Sequence, residues 1–191
     1  AGSTHPVGKI VTKVSKETGG TPEASILCGG FRTSAANAAF ANGAMAHVHD
    51  FDDTWLLPIG HPTCSIFPVV FALGEKLKLS GKAVLEGYVM GMEVHGKTGG
   101  LDYHKKEIGF HHTGIYGAIG AAAAAAKMLK LDVTQARRAF GIACSAASAA
   151  RRNVGTMTKC FHAGNAARGG IMAALLAKEG WTADENLLDE G

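Results

Sequence analysis

Apolar positions along this chain recur mostly at helical spacing, in runs broken by small polar residues. Val7 to Thr18 is the first such run, and it stops at Gly19-Gly20. The stretch EASILCGG that follows reads as a short extended piece. Ser34 is placed to cap an alanine-rich helix, AANAAFANGAMAHVHD, and Ser65 to cap IFPVVFALGEKLKL, where Pro68 would then fall in the first turn and be tolerated. Ser80 begins GKAVLEGYVMGMEVHGKTG, Thr113 stands before GIYGAIGAAAAAAKMLKL, and Thr134 opens QARRAFGIACSAASAA. The segment RRNVGTMTKCF has no apolar period and reads as a loop, His162 to Gly180 returns to helix, and WTADENLL suggests a capped turn after Thr182. Six or seven helices with no convincing strand alternation predict an all-α bundle over residues 1–191, a single domain. The 26 glycines and the alanine tracts sharpen that picture, because small residues on facing helices let backbones approach closely.

Composition narrows the class. Hydrophobic residues make up 47% of the 191, enough for a core, and charged residues 18% with a net charge of +3. No block of like charges offers an acidic tail or a basic arm, so nucleic acid is not an expected partner. No apolar run approaches the ~18 residues of a membrane span, and the start lacks the order of a signal peptide. The four cysteines show no CxxC pairing, which reads as reduced thiols and a cytoplasmic setting.

Three polar stretches carry the candidate chemistry. HVHDFDDT, His47 to Thr54, is followed by GHPT at Gly60 to Thr63. If the helix runs on through the motif, a step of about 100° per residue sets His47, Asp50 and Thr54 on one face, with His49 and Asp53 turned away. A metal would need Asp52, Asp53 and His61 to converge, but the spacing matches no metal signature, so no metal is expected. Asp52 and Asp53 equally suit the polar end of a helix. His61, held between glycine and proline, has a backbone with few conformations from which to aim its ring. In GFHHTGIYG, His111 and His112 sit just before a helix N-terminus, where free backbone N–H groups favour an anion such as a carboxylate. RRNVGTMTKCFHAGNAARGG is the most basic stretch, with Arg151, Arg152, Lys159, His162 and Arg168 and no acidic residue between them, and it suits a small multiply charged anion.

NGAMAHVHDFDDT, GHPTCSIFPVVFALGE, GFHHTGIYGAIGAAAAA and GTMTKCFHAGNAARGG, in that order and spacing, resemble the MmgE/PrpD family of 2-methylcitrate dehydratases and cis-aconitate decarboxylases. The resemblance implies an all-α bundle paired with an α+β lid, homodimers, and action on di- or tricarboxylates without metal or organic cofactor. Among such activities are dehydration, as in propionate catabolism, decarboxylation, and epimerisation of iminodisuccinate. By motif position it implies catalytic roles for Asp50, Thr54, His61, His111 and Lys159, with His162 close by; His162, His112 and Arg168 are the expected substrate-binding residues, the last two because they lie in the stretches that suit an anion. Two positions depart from the usual pattern: His112 and Cys160 stand where proline is common. Members run to more than twice this length, so the chain is expected to be the helical part, short at both ends and without the lid. The leading functional expectation is a 2-methylcitrate dehydratase-like lyase, with decarboxylase-like or epimerase-like activity as alternatives. An inactive helical module that needs a lid is the alternative of another class.

Overall fold

The computed structural model describes residues 1–56, 59–100 and 109–188, and no side chain is described at position 59. Among them are seven α-helices: α1 (Pro6–Thr18), α2 (Ala35–Ala46), α3 (Thr63–Leu77), α4 (Gly81–Gly100), α5 (His112–Leu129), α6 (Val133–Ala146) and α7 (Thr158–Lys178). Two small antiparallel pairs accompany them, β1 (Ala24–Ser25) with β2 (Arg32–Thr33) and β3 (Trp55–Leu56) with β4 (Ile59–Gly60). The all-α expectation therefore holds, and EASILCGG supplies the short extended piece. No described helix is long and apolar enough to cross a membrane.

Several boundaries differ from the sequence reading, for local reasons. Asp53 Oδ1 accepts the Thr63 N–H at 3.1 Å, so α3 starts two residues before Ser65, and Ser65 instead bonds the Pro62 carbonyl. Pro68 consequently stands inside the helix instead of in its first turn. Asp132 and Gln135 form a reciprocal capping box, which starts α6 at Val133 instead of Thr134. The last four residues of the expected loop RRNVGTMTKCF are helical: α7 begins at Thr158 and includes Lys159 and Cys160. After α7, Asp184 and not Thr182 caps the turn, its Oδ1 accepting the Asn186 N–H at 2.9 Å.

Helices α5 and α7 form the centre. The face of α5 is almost wholly alanine and glycine, and Ala121 to Ala126 are all buried. Helix α2 lies on α7, α3 fills the angle between α2 and α5, α4 covers α5, and α6 closes the other side of α5 and α7. Close crossings set these positions. A Cβ at Gly164 would stand 2.4 Å from the Phe40 carbonyl of α2, and one at Gly170 would stand 2.4 Å from Ala121 Cβ of α5. Real Cβ atoms do not approach so closely, so only glycine permits these two contacts. Their effect is to bring the C-terminal end of α2 beside the first turns of α7, and the start of α5 beside both.

Candidate active site

Helix α2 does not continue through HVHDFDDT. It ends at Ala46 with His47 as its C-cap, and Asp50 adopts a left-handed backbone with φ of 57°. Aspartate tolerates that region better than most residues, and the turn folds the motif back on itself. The helical-face argument for Thr54 therefore fails. Thr54 is exposed and joins none of the hydrogen bonds of the cluster among the described residues. The turn instead gathers His47, Asp50 and Asp52.

His47 is buried, and its Nδ1–H donates to Asp52 Oδ2 at 2.8 Å. Asp50 Oδ1 lies 3.8 Å from the same His47 nitrogen and 3.6 Å from His61 Nε2, while His61 Nδ1 faces Asp52 Oδ1 at 3.8 Å. From the opposite side Lys159 Nζ donates to Asp50 Oδ1 at 2.6 Å. The ammonium hydrogen bond holds the Asp50 carboxyl below its ordinary value, against the opposing pull of partial burial. Burial works to raise the Asp52 carboxyl, and the hydrogen bond and charge of His47 more than reverse it. Both aspartates are carboxylates at neutral pH.

His111 enters from the start of α5. Its backbone N–H bonds the Ala149 carbonyl at 2.7 Å, and Arg151 N–H returns to the Gly109 carbonyl at 2.9 Å, so the approach to α5 is clamped to the segment after α6. The His111 ring stacks on His47 at 5.8 Å and 18°, and its Nδ1 lies 3.2 Å from Nδ1 of His162 on α7. Burial, reinforced by the charges of His47, His162, Lys159 and His61, pushes His111 down to about 3. Burial also lowers His162, which is 4% exposed. At 3.2 Å the two facing nitrogens suit one hydrogen bond, in which one ring donates and the other accepts.

Of the residues singled out in the sequence, Asp50, His61, His111, Lys159 and His162 thus converge. His112 turns along its own helix, its ring 5.7 Å from Tyr116. Arg168 is exposed on α7, and at about 100° per residue it lies on the face opposite Lys159, so it does not join the cluster. Asp53 is a helix cap. Two members were missed, His47 and Asp52; the available signal was the helical-face argument that already placed His47 beside Asp50. His47, Asp50, Asp52 and His61 also offer two nitrogens and two carboxylates within 4.8 Å of one another, a donor set that can hold a divalent ion. Asp50 Oδ1 already accepts from the Lys159 ammonium, so an ion that took this oxygen would bind in competition with the lysine.

Fold and site together define a helical protein in which carboxylates, histidines and a lysine gather where three helix ends meet. The chain matches the MmgE/PrpD N-terminal domain over residues 1–191 and belongs to that family. It is 41% identical over 167 residues to the cis-aconitate decarboxylase of Mus musculus, covering 84% of this chain and 34% of that protein. It is 43% identical over 161 residues to the cis-aconitate decarboxylase of Homo sapiens, covering 80% of this chain and 33% of that protein. A cis-aconitate decarboxylase of Aspergillus terreus is 31% identical over 160 residues, with 80% of this chain and 33% of that protein covered. The chain spans about a third of the length of the curated relatives it matches.

Proposed function

We propose that this chain is the helical acid/base part of a lyase that acts on a tricarboxylate without metal or organic cofactor, with decarboxylation of cis-aconitate favoured over dehydration of 2-methylcitrate. The relatives at 41% and 43% identity, both cis-aconitate decarboxylases, support that order of preference. The observation that carries the chemistry is a neutral, half-buried His111 held among cationic and ring groups, with the Lys159 ammonium on Asp50 close by.

In decarboxylation the bond to the departing carboxylate breaks, CO2 leaves, and the electron pair passes into the adjoining alkene and carboxylate before a proton is added to carbon. Lys159 is placed to neutralise carboxylate charge, including what builds up as the pair delocalises. Burial keeps His111 neutral at pH 7. A trianion brought beside it favours the imidazolium, so binding the substrate loads the ring with the proton that the carbon then takes. His61, between Asp50 and Asp52, is the second ring suited to proton transfer. His47, hydrogen-bonded to Asp52, packs against its ring at 4.8 Å.

A panel of cis-aconitate, 2-methylcitrate, citrate and iminodisuccinate tests the reading, with products identified by NMR. It should be offered to the chain alone and to the chain within a protein of its relatives' length. CO2 release from cis-aconitate is expected to dominate. Water loss from 2-methylcitrate as the faster reaction would reverse the preference.

One feature favours a second reading, in which the chain is a helical module that reacts only when more protein covers it. A groove of about 410 Å³ runs between α1 and the start of α7, lined by Ile10, Val14, Phe40, Met157 and Phe161. Ile10 and Met157 are more than half exposed. Activity in the longer protein and none in the chain alone would favour this reading.

A further inference from the structure

We propose that His162 is a positioning residue that fixes the tautomer of His111, and not a ligand for a substrate carboxylate. The assignment rests on the acid/base reading of His111 given above, and its geometry stands independently. His162 projects from the second turn of α7 into the bundle and is 4% exposed, so it has little surface to offer a substrate. Its Nδ1 lies 3.2 Å from His111 Nδ1, which leaves Nε2 as the one His111 nitrogen available for other chemistry.

The neighbourhood holds this arrangement rigidly. Stacked on His47, the His111 ring is kept from rotating, and its backbone is pinned to Ala149. A Cβ on Gly114 of α5 would meet Ala149 Cβ at 2.4 Å and His162 Cβ at 3.4 Å, so glycine there allows the His162 side chain and the 148–149 segment to close on the start of α5. The charged and titratable groups facing the pair are His47, His61 and Lys159, with Asp50 and Asp52 behind them.

Two rings whose Nδ1 atoms lie 3.2 Å apart share a single proton there, since a hydrogen bond between them needs one donor and one acceptor. A ring that must take up a proton and then deliver it through Nε2 needs Nδ1–H and a bare Nε2 at rest. The His162 Nδ1 lone pair therefore accepts from His111 Nδ1–H, and the single N–H of His162 sits on its own Nε2. When His111 is protonated at Nε2 and then gives that proton to carbon, its Nδ1–H bond to His162 is unchanged, and the ring returns to its starting tautomer. The same logic governs a triad, where the group behind the histidine holds it in the working tautomer.

The test is imidazole 15N NMR on the chain at pH 7, comparing wild type with His162→Leu and His162→Asn, alongside cis-aconitate turnover in the longer protein. In wild type His111 is expected to carry its proton on Nδ1. His162→Leu removes the acceptor and should move the proton to Nε2; His162→Asn, whose side-chain oxygen can accept at the Nδ1 position, should keep it on Nδ1. An Nε2–H His111 in wild type, or the same tautomer in wild type and His162→Leu, overturns the proposal. In turnover, His162→Leu should lower kcat on the order of 100-fold with KM nearly unchanged, and His162→Asn should recover most of it. A raised KM with kcat kept would mean direct carboxylate binding and overturn the proposal. If the wild-type protein ignores cis-aconitate while the tautomers behave as stated, the substrate reading fails and the role of His162 stands.

Discussion

Helix α7 serves two purposes along its length. Its first turns present Lys159 and His162 to a polar cluster, while from Gly164 onward Ala167, Gly170, Ala174 and Ala177 press against α2, α5 and α6 with little but hydrogen and methyl groups between backbones. From Gly164 onward volume is critical, because a Cβ there would stand 2.4 Å from the Phe40 carbonyl. In the turns before it charge is critical, because Asp50 and Lys159 are partly open to water and their removal leaves little void. One helix therefore separates what places the site from what the site does, and substitutions in the two halves should damage different measurements.

The largest expected effect is on turnover. Lys159→Met keeps most of the side-chain volume and removes the charge, so activity on cis-aconitate should fall by about 10²–10³-fold while the thermal midpoint changes little. Unaltered turnover would detach the first half of α7 from the chemistry. Next comes stability. Gly164→Val drives a branched side chain into the Phe40 carbonyl and should cost about 3 kcal/mol, read as a lower urea midpoint. A neutral result would mean that α2 and α7 can slide apart and that the crossing does not set the site.

Acid should expose the polar end and a second buried ring together. His95 is fully buried beside the Trp55 and Tyr116 rings, and burial pushes it down to about 4. An unfolded histidine takes its proton near pH 6.5, so between about 6.5 and 4 the unfolded chain binds more protons than the folded one, and stability falls as pH falls. His95 alone should account for about 3 kcal/mol of that loss, His111 adds to it down to about pH 3, and lowered Asp50 and Asp52 add theirs below the ordinary carboxylate range. Urea melts of wild type and His95→Leu at pH 7 and pH 4 measure the share of His95; an equally steep acid loss in both would assign it elsewhere. The smallest effect belongs to Arg168→Ala, expected to alter KM less than about threefold because the side chain is exposed away from Lys159. A KM raised tenfold or more would extend the site around the helix.

Much of the bundle was legible because helical period and capping residues are local signals. Ser34 and Ser80 behave as read, with side chains accepting from Asn37 and Ala83 N–H. The misplacements arose where the deciding partner is distant in sequence or unusual in backbone. The start of α3 depends on Asp53, ten residues upstream, and the end of α2 on the left-handed turn at Asp50. That turn also explains the site. Periodicity grouped His47, Asp50 and Thr54, but the reversal substitutes Asp52 for Thr54 and brings His61 in from the far side of β3 and β4. Arg168 looked equivalent to Lys159 because both lie in one basic stretch; helical from Thr158 onward, that stretch points the two in opposite directions.

Proton uptake on binding propane-1,2,3-tricarboxylate, the saturated analogue of cis-aconitate, tests the central claim most directly. Calorimetry at pH 7 in buffers of different ionisation enthalpy reads that uptake in wild type and in His111→Gln. If the cluster receives the trianion against a neutral His111, binding should take up about one proton in wild type and close to none in His111→Gln. Binding with no uptake in wild type, or the same uptake in both, would contradict it.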